Sequence, residues 1–252
     1  LSKDCVLYRE VDYMLRQELR ETPIYHALLG ALALGNVRLN DISRQSLVED
    51  TSKTSVYLKN LIELGIVRRE FSVDMKMKER AGNSRGIYRL TDNFFRFWYA
   101  FAFTNYSDLE IGDVEGVYQY EVEPLLHEYA SFTFEDICIQ YMQELQKANR
   151  LPFRYSRIGR WFGKTTVRDA SQKNGFRTAE TEIDIMAVSR QMQEIFIGEC
   201  KFKGRPFRYS EYLDTLAKLA PEKEKADFYY GLFSESGFDE KVTAAAREDD
   251  KI

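Results

Sequence analysis

Histidine and cysteine are scarce in this 252-residue chain, with two histidines (His26, His127) and three cysteines (Cys5, Cys138, Cys200), none at the spacing of zinc ligands. Cysteines that are odd in number and far apart argue against a disulfide framework and for a reducing compartment, the cytoplasm. Proline is sparse, and no low-complexity tract or fixed-period repeat occurs, which excludes collagen-like, disordered and solenoid classes. Long apolar runs are missing too. The most aromatic stretch, NFFRFWYAFAF, has about half of the ~20 residues a membrane span needs, and LSKDCVLYREVDYML lacks the apolar core of a signal peptide. Neither secretion nor a membrane partner is expected. The chain starts at Leu1, which suggests a fragment or a processed product.

What is present is a globular composition, 44% apolar and 30% charged, in 29.6 kDa, enough for one large or two ordinary domains; two are expected. From Pro23, PIYHALLGALALGN places Ile24, Leu28, Leu29 and Leu32 on one helical face and ends at Gly35-Asn36. Asn40 or Asp41 can cap a short second helix. TSKTSVYLKNLIELGIV then carries Val56, Leu58, Leu61, Ile62 and Leu64, with Thr51 or Ser52 as N-cap and Gly65 just past its end. Three short helices suggest a helix-turn-helix. IVRREFSVDMKMKER and RGIYRL read as two strands joined across AGNS, which makes a wing.

Charge supports that reading. Residues 23 to 90 hold eleven Lys/Arg against seven Asp/Glu, a net +4, whereas the whole chain is −4. Seven of the eleven lie between Arg68 and Arg89, so Lys76, Lys78, Arg80 and Arg85 are candidates for phosphate contact, while Lys53, Ser55, Tyr57 and Lys59 on the third helix would approach a groove of DNA. A protein-docking winged helix with a solvated basic hairpin is the competing account. TDNFFRFWYAFAF, apolar nearly all round, reads as a buried connecting helix in preference to a platform for stacking bases.

TNYSDLEIGDVEGVYQY, with its polar and glycine punctuation, reads as a linker. FTFEDICIQYMQELQK follows as a helix with Phe134, Ile137, Cys138, Tyr141 and Leu145 as its apolar stripe; Glu135 shares a face with Cys138, Ile139 and Met142, at the edge of the buried side. PFRYSRIGRWFGK reads as a strand. Its GRWFGKT imitates a P-loop, but Gly159 and Gly163 are separated by three residues where that motif needs four, and no apolar helix follows; ATP binding here is rejected. The basic residues Lys164, Arg168, Lys173 and Arg177 fall in and after this stretch.

ETEIDIMAVSRQMQEIFIGECKFKG contains two strands that hold charge where burial is expected. With period 2, Glu182, Asp184 and Met186 share one face and Ile183, Ile185 and Ala187 the other, while Ile195, Ile197, Glu199 and Lys201 alternate with Phe196, Gly198 and Cys200. A hairpin across SRQMQ would bring Asp184, Glu199 and Lys201 together near one edge of a sheet. Buried carboxylates are costly, a divalent cation relieves the cost, and a lysine beside it can act on a water or on phosphate charge. A helix (SEYLDTLAKLA), a strand (ADFYYGLFS) and a helix (FDEKVTAAARE) complete the order.

Asp184, Glu199-Cys200-Lys201 and the preceding Glu135 together resemble the D…ExK core of the restriction-endonuclease-like, PD-(D/E)xK, superfamily. YHALLGALALGNVRLNDIS, YLKNLIELGIVRRE, YRLTDNFFRFWYAF, FEDICIQYM, IGRWFGK, EIDIMAV and GECKFKG resemble the C-terminal half of a family of AAA-type ATPases of archaea and bacteria, in which a winged helix and a nuclease-like domain of unknown function follow the ATPase module. That resemblance implies an α/β (α+β) chain with an N-terminal winged helix-turn-helix and a restriction-endonuclease-like αβββαβ core. It implies residues 1–22 as the tail of the ATPase lid, 23–103 as the winged helix with its aromatic connecting helix, 104–130 as linker and 131–252 as the nuclease-like domain. It further implies Asp184 and Glu199 as ligands of Mg2+ or Mn2+, Lys201 as catalytic lysine, Glu135 as accessory acid, and ATP bound only by an N-terminal module absent from this sequence. No proline precedes Asp184, where Ile183 stands; many members of the superfamily lack it. Two readings stay open: a Mg2+-dependent endonuclease delivered to DNA and regulated by its own ATPase module, or a catalytically silent docking unit in which Glu199 and Lys201 form a structural ion pair. Oligomeric state is not legible, and a homo-oligomer stays open.

Overall fold

The structure is a computed structural model that describes residues 5–48, 50–80, 82–83, 85–168, 176–218 and 226–252. The chain is mixed α and β. Its elements run α1 (Val6–Glu18), α2 (Thr22–Ala33), α3 (Leu39–Gln45), α4 (Thr51–Glu63), β1 (Val67–Glu70), α5 (Met77–Arg80), β2 (Ile87–Leu90), α6 (Asn93–Phe97), α7 (Tyr106–Glu110) and α8 (Val114–Val117). They continue as α9 (Glu123–Lys147), β3 (Arg157–Arg168), β4 (Phe176–Val188), β5 (Glu194–Lys201), α10 (Tyr209–Ala217), β6 (Asp227–Ser234) and α11 (Glu240–Glu248). Packing divides the chain into two units, Leu1–Glu70 with Gly82–Leu126, and Phe71–Ala81 with His127–Ile252.

In the first unit, Pro23 sits in the first turn of α2, where its missing N–H costs nothing. Leu28, Leu29, Ile42, Leu58 and Leu61 from α2, α3 and α4 are fully buried together with Tyr25. The cap of α4 is Asp50, whose carboxylate accepts the Ser52 N–H at 2.7 Å, and not Thr51 or Ser52 as expected; three consecutive residues can each cap, so the sequence does not choose among them. Strands β1 and β2 pair antiparallel, from Val67↔Leu90 to Glu70↔Ile87. They are shorter than expected, because Phe71 leaves the ladder and the helical turn α5 stands where the first strand of the wing was predicted to continue. Residues 81 and 84 of the AGNS turn lie outside the described residues.

Asp92 caps α6 by accepting the Phe94 and Phe95 N–H groups, and the helix widens into a π-helical turn at Trp98–Ala102. Trp98, Tyr99 and Phe101 are buried, and the Trp98 indole donates to the Tyr8 carbonyl at 2.9 Å, so the aromatic run is core. The stretch 104–130, expected as a linker, is largely helical: α7, α8, a π-helical turn at Tyr118–Val122 and the start of α9. Its polar punctuation is capping chemistry, shown by Asp113 accepting the Gly116 N–H at 3.0 Å.

The second unit holds a four-stranded sheet in the order β3-β4-β5-β6, antiparallel except for the parallel β5/β6 pair, with α10 between those two strands in sequence. One sheet face packs Ile185, Ala187 and Phe196 against Cys138 and Met142 of α9; the other gathers Trp161, Ile183, Met186, Val188, Ile195, Ile197, Phe228 and Tyr230. Two expectations are corrected here. Ile137 and Tyr141 of the expected α9 stripe are 53% and 52% exposed, because the buried line runs one residue further round, through Cys138 and Met142. The strict alternation in β4 also fails. The register against β3 slips between Gly159 and Trp161, a β-bulge, so Ile183 shares a face with Met186 and Val188 while Ile185 and Ala187 take the other.

Candidate functional site

The bulge decides where Asp184 goes. The β4/β5 ladder runs from Val188↔Ile195 to Ile185↔Gly198 and stops there, one residue short of Asp184 and Glu199. Beyond that point the Cys200 N–H is taken by the Asp184 carboxylate at 2.8 Å, so a side chain replaces the missing backbone acceptor and the strands fork around it. Strand β5 continues with β6 through Glu199↔Leu232 and Lys201↔Ser234, which holds the other side of the fork rigid. Room for the turn of side chains comes from Gly231, paired with Gly198, where an added Cβ would overlap the Phe196 ring.

The predicted residues Asp184, Glu199, Lys201 and Glu135 are brought together. Glu199 is buried at 7% exposure, and both its oxygens meet ammonium groups: Lys201 Nζ on Oε1 at 2.5 Å, and Lys218 Nζ on Oε2. Lys218, the C-cap of α10, also donates to the Glu182 carbonyl at 2.9 Å. Burial works to lower the Lys201 ammonium, but its bond to Glu199 and the charges of Glu199 and Asp184 outweigh it and hold the group above its ordinary value. Lys201 is therefore a fixed positive charge at neutral pH and not a base.

Asp184 differs from its neighbours. Among the described residues no ion pair involves it, and its carboxyl is pushed up from 3.8 to about 6 by burial first, then by the facing charge of Glu199 and, more weakly, of Glu135. The Cys200 N–H and Lys218 offset only part of this. Glu135 is held by Arg160, whose Nε donates to Glu135 Oε2 at 2.8 Å while Nη2 donates to Asp136 Oδ1 at 2.9 Å. Lys218 and Arg160 were not singled out from the sequence; both lie far along the chain from the acids they meet, and no local spacing marks them. The packing of Cys200 against the core cluster that holds Cys138 was missed for the same reason.

A divalent cation can be tested against this donor set. Among the described residues no three His, Cys, Asp or Glu side chains gather as a ligand group. Two carboxylates suffice for a hydrated Mg2+ that takes its remaining oxygens from water and phosphate, and Asp184 supplies a charge that Lys218 and the Cys200 N–H offset only in part. Glu199 would exchange one lysine for the ion. The residues fit on those terms.

The residues expected to meet nucleic acid do not form one patch in one unit. Lys53, Tyr57 and Lys59 lie on α4; Lys53 is exposed, Tyr57 donates its hydroxyl to Glu21, and Lys59 is 3.7 Å from Glu63. Arg85 belongs to the first unit, whereas Lys76, Lys78 and Arg80 fall in the second, where Arg80 donates to the Met75 carbonyl at 3.3 Å and lies over the Phe71 ring. The same segment is tied to β3: Val73 N–H donates to the Arg160 carbonyl, and Trp161 donates to Asp74 at 2.9 Å. GRWFGKT is part of β3 itself. Lys164 is exposed there, Lys173 lies outside the described residues, and so do the side chains of Arg168 and Arg177.

Comparison with known proteins adds a family resemblance. Protein VC1899 from Vibrio cholerae, a solved structure, is similar over 97% of this chain and 51% of its own at 15% identity, with a TM-score of 0.32, a likeness on which nothing is built. The uncharacterized protein MJECL04 of Methanocaldococcus jannaschii is 31% identical over 202 residues, which cover 79% of this chain. The chain spans 40% of that relative's length. Residues 98–212, which contain Glu135, Asp184, Glu199 and Lys201, are similar to the family DUF234, described as archaea bacterial proteins of unknown function.

Proposed function

We propose that the second unit is a Mg2+- or Mn2+-dependent phosphodiester hydrolase with a restriction-endonuclease-like core, and that α2 to α4 with β1 and β2 act as a winged helix that meets DNA. The observation that carries the reading is Asp184: a half-buried carboxylate in no ion pair among the described residues, raised to about 6, facing Glu199 at the fork where β4 leaves β5. A fold does not hold such a group without compensation unless something else supplies the charge. The order of elements, α9 then β3-β4-β5, α10 and β6, supports the same reading.

In this site Asp184 and Glu199 would hold the ion, which when bound supplies Lewis-acid charge and acidifies a water. Lys201, kept protonated by Glu199, offers its ammonium to the negative charge that builds on phosphorus oxygens. Glu135, fixed by Arg160, keeps negative potential beside Asp184 and so favours a cation there. ATP would act only through the ATPase module implied by the sequence resemblance.

One observation favours a second reading. Both Glu199 oxygens are already neutralised by Lys201 and Lys218, as in a structural network that serves a silent docking domain. Cleavage of single- and double-stranded DNA with Mn2+ separates the two. Activity in the wild type that is abolished in Asp184→Asn and Glu199→Gln supports the hydrolase; Lys201→Ala should then lose activity while still binding Mn2+. A wild type that neither cleaves nor melts higher with Mn2+, beside a Lys201→Ala that melts well below it, supports the docking domain.

A further inference from the structure

We propose that Lys218 is a tethered cation that fills the divalent seat in the metal-free protein, so that the ion enters only as the Lys218 ammonium leaves. The inference rests on the cation reading above and names which of the two lysines gives way. The β4/β5 ladder ends at Ile185↔Gly198, and beyond it the Lys218 ammonium spans the fork, donating to Glu199 Oε2 on β5 and, at 2.9 Å, to the Glu182 carbonyl on β4. A carboxylate oxygen and a backbone carbonyl oxygen are donors that a hard divalent cation takes. The ammonium therefore stands where an ion could stand.

Two ammonium groups hold Glu199, and they are anchored differently. Lys201 rises from the strand that carries Glu199 itself, and its backbone is fixed by the Lys201↔Ser234 pairing with β6 and by the Glu235 N–H, which donates to the Lys201 carbonyl at 3.2 Å. Lys218 is the C-cap of α10, where the backbone turns extended, and its ammonium reaches Glu199 at the end of a flexible four-carbon stem. Its release breaks two side-chain hydrogen bonds and leaves β5, β6 and Lys201 in place.

Charge favours exchange over addition. Glu135, Asp136 and Glu199, with Asp184 beside them, are set against Arg160, Lys201 and Lys218, so a divalent ion added to all three cations would leave an excess of positive charge among half-buried groups. An ammonium and a dication on one carboxylate also repel each other. Departure of Lys218 removes both penalties. Departure of Lys201 would remove them too, but it would take away the ammonium that is to meet phosphate oxygens.

The test uses the full chain and Mn2+ alone. The Lys218 side chain is 20% exposed against Glu199, so a short pulse of acetic anhydride, read by peptide mass spectrometry, should label it slowly in EDTA and severalfold faster in saturating Mn2+, with the exposed Lys164 as an unchanged reference. Asp184→Asn should abolish the rise. Calorimetry supplies the second arm: if the seat is free about a tenth of the time, its apparent affinity is cut about tenfold, so Lys218→Met should bind Mn2+ about tenfold more tightly than wild type. Lys203→Met removes an equal charge that pairs with Glu211 and not with Glu199, and should gain less than about threefold because exposed charges are screened. A wild type that binds Mn2+ with Lys218 labelling unchanged would overturn the inference and leave the cation seat standing, as would a Lys218→Met chain that binds no more tightly than Lys203→Met. Absence of Mn2+ binding in both wild type and Lys218→Met would overturn the inference and the seat together. Should Lys218→Met fail to fold, the labelling of wild type decides alone.

Discussion

Replacing Asp184 by asparagine should stabilise the metal-free protein at neutral pH. The carboxyl has an ordinary value of 3.8 and a folded value of about 6. Between these limits the folded chain retains a proton that the unfolded chain has lost, so stability falls as pH climbs from about 4 to about 6 and stays lower above. At about 1.4 kcal/mol per pH unit, the ionised form costs on the order of 3 kcal/mol relative to the neutral one. Asparagine stands in for the neutral form and keeps an oxygen for the Cys200 N–H, but local relaxation already eases part of the cost. A gain of about 1–2 kcal/mol is therefore expected, or a melting temperature higher by about 3–6 °C for a chain of this size. The assay is thermal and urea unfolding of wild type and Asp184→Asn in EDTA between pH 4 and 8. The gain should be full above pH 6.5 and should shrink toward zero at pH 4. An asparagine variant less stable than wild type at pH 7.5, or a gain that does not change with pH, would refute the reasoning.

Arg160→Ala should destabilise by about 2–3 kcal/mol in urea unfolding, since it leaves Glu135 and Asp136 facing one another without their shared cation. Gly231→Ala should cost about 1–3 kcal/mol by forcing the Phe196 ring aside, and Phe196→Leu in the same chain should recover part of the loss. Glu211, held down to about 2 chiefly by Arg205, contributes stability above its ordinary pKa that is lost as pH falls toward 2; Glu211→Gln should cost about 1 kcal/mol or less at pH 7 and nothing near pH 2. If α4 meets phosphates, Lys53→Ala with Lys59→Ala should flatten the salt dependence of duplex binding by roughly 0.9 log unit per lost contact, and an unchanged slope with the fold intact would point to protein docking.

Periodicity made most elements legible. Leu28, Leu29, Leu58 and Leu61 mark the helical faces of the first unit, and the ETEIDIMAV and QEIFIGECKF segments were visible as a hairpin that brings Asp184, Glu199 and Lys201 together. The β4 bulge was not visible, because period 2 assumes an unbroken ladder and nothing in TEIDIM marks the slipped residue. The helices at 106–122 were hidden for a different reason: Asp113 and Gly112 read as loop chemistry, and the same residues serve as caps and stops of very short helices. Lys218 and Arg160 escaped notice because a cation that neutralises a distant acid is set by tertiary contact alone. The split of the basic cluster, with Lys76, Lys78 and Arg80 in the second unit, follows from Val73 packing into that core, an effect of a single apolar residue inside a charged stretch.

The central claim is that the fork between β4 and β5 is a seat for a divalent cation. Anomalous diffraction from crystals of the reduced chain soaked in Mn2+ measures it directly. A single peak within bonding distance of Asp184 and Glu199, with one lysine displaced from Glu199, and absent in Asp184→Asn, is the predicted result. Glu199 still held by both Lys201 and Lys218 in saturating Mn2+, with no peak at Asp184, would contradict the account.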